Sequence, residues 1–227
     1  MRRLTSALFL VGLAVLVAAV YQQMNLLVTP LSGDAINASA GQQVGAGNIV
    51  TAVVLAFRGF DTLLELTILF TAATVGGLVL GKPRADAPRD PDAGFILQTG
   101  ADLFFPLLLV VGLYIILHGH LTPGGGFQGG VVLAAAFFIP VLARPGTTLD
   151  HHAVSLIEGL AGAAFILIGL LAMLGGEVFL TPLLDKGALG ALFSAGTLPL
   201  LYLAVGLKVG AELAGLLAQL AATEAAD

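Results

Sequence analysis

The sequence predicts an all-α membrane protein with about six transmembrane helices. Hydrophobic residues make up 58% of its 227 residues and charged residues only 10%, proportions that lie far from those of soluble domains. Its apolar runs are about 20 residues long, as membrane-crossing helices require, whereas outer-membrane barrels have alternating strands of about 10 residues. We therefore expect a multi-pass protein of the cell (plasma or inner) membrane, in contact with the lipid bilayer.

The first two apolar runs each allow more than one interpretation. Residues 4–21 follow two arginines, as in a signal peptide, but no clear A-x-A site closes the run, so a transmembrane helix is expected. Residues 48–80 would form a helix about 50 Å long, against a hydrocarbon core of about 30 Å. We expect this run to break at Arg58-Gly59, which leaves residues 60–80 as the spanning helix. The other four spans are predicted at 103–117, 125–143, 153–174 and 196–217.

Positive charges predict the orientation of the spans. Most lysines and arginines fall on one side of the predicted topology, which places both termini and residues 82–94 in the cytoplasm. Residues 82–94 contain three prolines and charges of both signs, a composition typical of a linker. The sequence thus divides into a two-helix module, 1–81, and a four-helix module, 95–227.

Polar residues near the span ends suit structural roles. Thr99, with Asp102 three residues later, resembles a capping box and predicts the start of the third span, and Asp150 can cap the fifth. His118 and His120 offer a metal only two ligands, so hydrogen bonding at a helix end is the expected role.

Composition excludes several classes of site. The chain has no cysteine, which excludes disulfides, thiolate metal sites and Cys-ligated iron–sulfur clusters. Its formal net charge is -5, and no basic cluster indicates a nucleic-acid partner. The glycines of residues 124–130 lack the Lys-Ser/Thr and the preceding strand of a phosphate-binding loop. We expect no catalytic residue, no metal and no cofactor.

Ionisable side chains inside the spans are the strongest functional signal. Such a group costs about 2.5–3.5 kcal/mol near the bilayer centre, so a protein that keeps one generally uses it. Arg58, Asp61 and Glu65 are spaced i, i+3, i+7 and share one helix face. Two interpretations stay open: a salt-bridged anchor at the membrane interface, or a proton or cation relay in which Glu65, the deepest of the three, titrates.

The sixth span carries a second set of charges. Lys208 lies near the middle of the span, too far from either end to reach water easily, and so needs an anionic partner. Glu212 at i+4 and Glu158 from the fifth span are the candidates. The set is either a static ion pair that joins helices or a proton-transfer site, since a buried lysine readily lowers its pKa.

Small residues predict close helix crossings. Overlapping small-xxx-small pairs open the fourth span, and a small-residue stripe lies on the face of the sixth span roughly opposite Lys208. The helix-packing candidates are Gly125, Gly126, Gly129, Gly130, Gly206 and Gly210.

Three sequence stretches resemble a known family. HGHLTPGGGFQGGVVLAAAF and GTLPLLYLAVGLKVGAEL look like the B-type component of the multisubunit Na+/H+ antiporters, the Mrp family, a resemblance that covers residues 95–220. NIVTAVVLAFRGFDTLLELTILF resembles the small two-helix module that ends the large A-type component of Mrp complexes and forms a separate subunit in membrane-bound hydrogenases. The departure from the family pattern is the fusion of the two modules in one chain.

The resemblance implies an accessory membrane subunit of a multisubunit cation/proton antiporter related to complex I. Its partners would be other membrane subunits and the transported Na+ or H+, and it would have no enzymatic site of its own. The alternative is the same module in a membrane-bound hydrogenase or another redox-driven ion pump. By matching motif, ion translocation is expected at Arg58, Asp61, Glu65, Lys208 and Glu212, with a weaker match at Glu158.

Overall fold

The structure, a computed structural model, is all-α in the residues that it describes, which confirms the predicted fold class. The chain divides into two compact units, residues 1–39 and 40–227. The predicted first span, 4–21, lies almost entirely outside the described residues, as does the predicted linker except for Ala93 and Gly94. The described residues are 32–81, 93–144, 146–174 and 178–224, with isolated positions at 11, 14, 15, 18 and 176.

Helix α1, Ser32–Val44, is a helix that the sequence analysis does not predict. Its residues are mostly small or polar, so they form no apolar run of the kind that marks a span. Asp34 in its first turn is the local helix-forming signal, because an acidic side chain there favours the helix dipole.

The second apolar run breaks at Arg58, as predicted. Helix α2, Ile49–Thr51, is capped by the Asn48 side chain and continues as a π-helix, Ala52–Phe57. Helix α3 then runs over Gly59–Leu80, 22 residues, or about 33 Å, which is enough to cross a bilayer.

Helices α4 and α5 span Phe95–Leu117 and Gly126–Ala143. The predicted start of α4 at Thr99 is wrong, because the apolar residues just before it continue the helix back to Gly94, its N-cap. Asp102 instead forms a bidentate ion pair with Arg144, with N–O distances of 2.9 and 2.8 Å. This pair connects α4 to the residue that follows α5.

Helices α6 and α7 span His151–Leu174 and Leu198–Glu224. Asp150 accepts hydrogen bonds from the backbone N–H groups of His152 and Ala153 at 2.9 and 3.4 Å, which is the capping role expected of it. Residues 178–197, between the two helices, have no regular secondary structure.

Five of the described helices, α3 to α7, are long and apolar enough to cross a membrane. The bent pair Gly33–Val44 and Ile49–Phe57 brings the number of spans up to six. This range agrees with the predicted number, although the predicted span 4–21 is not among these helices. The orientation of the termini stays a prediction.

Helix α7 lies at the centre of the bundle. Its spanning window is 56% buried, compared with 6% for α3, and it packs against α3, α4, α5 and α6. A charged residue in the middle of α7 is therefore surrounded by protein.

Candidate functional site

The candidate site is built around Lys208, in the middle of α7. Lys208 is only 8% exposed, because neighbouring helices cover α7 on several sides. Its aliphatic stem passes over Gly162 of α6, where a Cβ atom would lie 3.4 Å from Lys208 Cδ. The lysine stem thus packs against α6 at Gly162.

Two carboxylates flank the Lys208 ammonium group. Lys208 Nζ lies 3.2 Å from Glu212 Oε2 and 3.4 Å from Glu158 Oε1. Only the contact with Glu158 has the geometry of a hydrogen bond. Glu212 is 5% exposed, and neither of its carboxylate oxygens accepts a hydrogen bond from the described residues. We call Glu158, Lys208 and Glu212 the charged cluster.

An aromatic ring of α3 completes the surroundings of the ammonium group. Lys208 Nζ lies 4.9 Å from the centroid of the Phe70 ring, which is within the distance of a cation–π contact. Sequence reasoning does not identify Phe70, since an aromatic residue in an apolar span carries no distinguishing signal.

A cavity of about 330 Å³ adjoins the charged cluster between α3, α6 and α7. The cavity is partly open to the outside of the helix bundle and is large enough to hold water. Glu158 and Glu212 lie in its wall, and further polar side chains come from Thr74, His151, Ser155 and Gln219.

The cavity leads toward one end of the bundle. His151 is the first residue of α6, and Gly77 lies near the last turn of α3. Gln219 Nε2 donates to the backbone oxygens of Gly77 and Gly81 at 2.9 and 2.7 Å, so α7 is tied to the end of α3. The cavity thus extends from mid-membrane toward the end where α3 stops and α6 starts, which the charge distribution predicts to be cytoplasmic.

The other predicted charges do not join this cluster. Arg58 and Asp61 form an ion pair at the start of α3, with side chains that are 69% and 46% exposed. Glu65 is exposed and, among the described residues, makes no ion pair. Glu65 precedes Phe70 by five residues, or about 140° around the helix. It therefore lies on a different side of α3 from the face that covers Lys208.

Five of the six helix-packing candidates lie where helices cross. A Cβ atom at Gly126 or Gly130 would lie 2.6 or 2.8 Å from the Cβ of Val205 or Val209 in α7. Gly129, Gly206 and Gly210 also lie at these crossings. A Cβ atom added to any of them would lie within 3.3 Å of a backbone oxygen of the facing helix. Gly125 has φ 140° and faces the Tyr202 ring, so its role is in the turn before α5.

A polar network holds the loop between α4 and α5. Asn48 Nδ2 donates to the oxygens of Gly119 and Thr122 at 2.9 and 3.0 Å, and Thr51 Oγ1 donates to Gly119 O at 2.6 Å. The Tyr202 hydroxyl donates to Thr51 Oγ1 at 2.6 Å. Sequence reasoning misses this network, because its members lie up to 151 positions apart.

The two histidines of this loop differ. His118 Nδ1 lies 3.1 Å from Tyr114 O and the ring stacks on Tyr114, in agreement with the expected helix-end role. His120 is fully buried. Burial lowers the pKa of His120, and the adjacent backbone of Ala191 and Leu192 opposes this only in part. Among the described residues, no group of three potential metal ligands is present.

The four-helix part of the chain matches a known family. Residues 96–215 match the family described as a domain related to the MnhB subunit of Na+/H+ antiporter. The matched region covers more than half of the chain and includes all three residues of the charged cluster.

One similar chain is an uncharacterized protein of Methanocaldococcus jannaschii, 34% identical over 74% of each chain. A chain of an archaeal respiratory complex, the membrane-bound sulfane sulfur reductase, is 35% identical with a TM-score of 0.76 over 93% of this chain and 97% of that one. A chain of the Mrp complex from Dietzia sp. DQ12-45-1b is 27% identical with a TM-score of 0.78. The match covers 96% of this chain but only 26% of the Dietzia chain.

Proposed function

Because the chain belongs to the family of domains related to the MnhB subunit of Na+/H+ antiporters, we propose that its charged cluster transfers protons or cations. The chain is a multi-pass subunit of an Mrp-type antiporter-like membrane complex, and its partners are other membrane subunits. In this proposal it is a transporter subunit without a redox or hydrolytic site of its own.

One observation carries the proposal: a buried lysine lies between two carboxylates that line the same cavity. A purely structural ion pair needs only one carboxylate and no water. Here the second carboxylate, Glu212, is buried without a hydrogen bond from the described residues. When all three groups are ionised, the cluster carries one net negative charge. Binding of one proton or monovalent cation makes it neutral.

The geometry suggests how the charge moves. Glu158 lies in the cavity wall and takes the hydrogen bond of Lys208. When a proton or cation from the cavity neutralises Glu158, its attraction for the ammonium group is lost. Lys208 then shifts toward Glu212, which is already only 3.2 Å away. In the proton case, Lys208 gives a proton to Glu212 and takes the one on Glu158 in its place, so a proton from the cavity reaches Glu212.

Arg58, Asp61 and Glu65 are proposed as a second ion-translocation locus. The Arg58–Asp61 pair is neutral overall, so the net negative charge of this group lies on Glu65. Its position on another side of α3 means that Glu65 acts with groups outside the cavity.

The proposal is tested by removing one carboxylate at a time. Glu158→Gln and Glu212→Gln keep the side-chain shape, and we expect each to lower cation-driven proton exchange by about 10² or more, the range for loss of a positioned proton-transfer group. The matched control is Asp185→Asn, the same charge change in an exposed loop residue. Normal exchange by both cluster variants in fully assembled complex would contradict the proposal.

A second candidate function is ion transfer in a redox-driven complex. It is favoured by the match with the sulfane sulfur reductase chain, which extends over nearly the full length of both chains. The two candidates differ in the partner subunits. In the redox case, the purified native complex would pump ions on reduction of sulfane sulfur. In the antiporter case, it would exchange cations for protons without an electron donor.

A further inference from the structure

Helix α3 presents a continuous stripe of side chains that nothing in the described part of this chain covers. The stripe has spacings of four and three residues in alternation, and its members are Asp61, Glu65, Ile68, Ala72, Val75 and Val79. All are exposed except Asp61, which is half-exposed. We call this set the Glu65 stripe.

The spacing of the stripe is that of a helix–helix seam. Apolar residues that alternate at four and three positions define the face that one helix presents to another in left-handed packing, in membranes as in water. The opposite face of α3, which includes Gly59, Thr62 and Leu66, is buried and packs against α7 and the π-helix. Within the described part of the chain, helix α3 therefore has one covered face and one uncovered seam.

The charge on the stripe distinguishes a protein neighbour from lipid. Glu65 lies six residues into α3, about 9 Å along its axis, within the span. A carboxylate facing hydrocarbon there is costly, and Arg58 does not offset this cost because it is paired with Asp61. By contrast, the exposed hydroxyls of Thr67 and Thr71 donate to carbonyls of their own helix at 2.8 Å, so they are compatible with lipid.

From these observations we infer that the Glu65 stripe docks a transmembrane helix of another subunit, which places a lysine or arginine beside Glu65. No other predicted span of this chain supplies that charge. Lys208 is engaged by Glu158 and Glu212. Residues 4–21, the other predicted span of the N-terminal module, contain no cationic side chain.

A second copy of this chain does not fit the stripe. Two α3 helices related by a twofold axis along the membrane normal run parallel and put equivalent residues opposite each other. Glu65 would then face Glu65, and the excess negative charge would double instead of being neutralised. The docked helix therefore belongs to a different chain.

Photo-crosslinking in the intact complex tests the surface. Benzoylphenylalanine at Ile68, on the stripe, is compared with the same residue at Val110 in the middle of α4, which is similarly exposed (68% and 67%) but belongs to a different helix. We expect Ile68 to crosslink to one other subunit, through a transmembrane peptide that contains a lysine or arginine. Crosslinking to lipid, to this chain, or to a helix without a cationic residue would overturn the inference.

Charge reversal tests the chemistry. Glu65→Lys should lower retention of the crosslinked subunit by about tenfold or more, equivalent to about 1.4 kcal/mol, and replacement of the partner's cationic residue with glutamate should restore it. Glu65→Gln should give an intermediate loss. If Glu65→Lys retains the full set of subunits, the inference is wrong. If that variant is not produced, the crosslinking result decides.

Discussion

Replacing Lys208 with arginine separates proton transfer from ion pairing, because arginine keeps the positive charge but does not release a proton at accessible pH. The comparison is Lys208→Arg, Lys208→Ala and the original chain, each in assembled complex. If Lys208 transfers protons, the arginine variant should assemble normally but lose activity almost as completely as the alanine variant.

The structure sets the expected magnitudes. Lys208→Ala removes the cation 3.2 Å from Glu212 and leaves a carboxylate that is 5% exposed, a change that costs about 3–5 kcal/mol and impairs assembly. Lys208→Arg keeps that pairing, although the larger guanidinium must fit beside Gly162. For the arginine variant we expect nearly normal assembly and a loss of transfer of about 10² or more.

The assay is proton exchange on cation addition in inverted membrane vesicles, measured with a pH-sensitive dye and normalised to the subunit content of the membranes. A double variant, Lys208→Met with Glu212→Gln, serves as the structural control. It removes the buried pair together and leaves only Glu158, which lines the cavity and can be hydrated. Near-normal exchange by assembled Lys208→Arg would refute the transfer role of Lys208 and leave it as a static counter-ion.

Three further predictions concern other parts of the chain. Because the pKa of His120 is lowered in the folded state, the unfolded state binds a proton more readily. The free energy of unfolding should therefore be highest above about pH 6.5 and fall as the pH drops below it. Thermal unfolding in detergent should show a weaker pH dependence for His120→Phe. Gly130→Ala places a methyl group 2.8 Å from a neighbouring Cβ and should destabilise by about 1–3 kcal/mol, whereas Gly100→Ala, with open space around it, should not lower the midpoint of thermal unfolding. The predicted orientation requires that a cysteine introduced at Asp185 reacts with an impermeant thiol reagent outside intact cells and that one at Asp86 does not.

The sequence predicts elements well where the signal is local. The break at Arg58-Gly59 follows from the length of an apolar run, and the Lys208–Glu212 contact follows from their i, i+4 spacing. The start of α4 is misplaced because Thr99 is a good cap by residue type, but the apolar residues before it already continue the helix. Helix α1 is missed because a short polar helix has no membrane signal.

The candidate site is only partly predictable because its geometry depends on how helices pack. Glu158 lies 50 positions from Lys208, so the sequence identifies it only as one of several candidate partners. No local sequence pattern marks Phe70 as a contact of Lys208, or Gln219 as a contact of the end of α3. Conversely, Glu65 shares a helix with Phe70, but the turn of about 100° per residue directs the two side chains to different sides.

Helix α3 connects the two proposed loci physically. It is the least buried of the five spanning helices in the described part of the chain, and it carries Phe70 over Lys208 on one face and the exposed Glu65 on another. Its C-terminal end is tied to α7 by the bonds from Gln219, while its N-terminal end follows a π-helix, a local irregularity of the kind often found at functional sites. A partner docked on the Glu65 stripe would hold the free face of α3, and a shift of that partner would move the wall of the cavity and the ring that covers the ammonium group. Coupling between this chain and its partners therefore does not need the ion to pass through Glu65; it needs only that the position of α3 differs between two states of the complex.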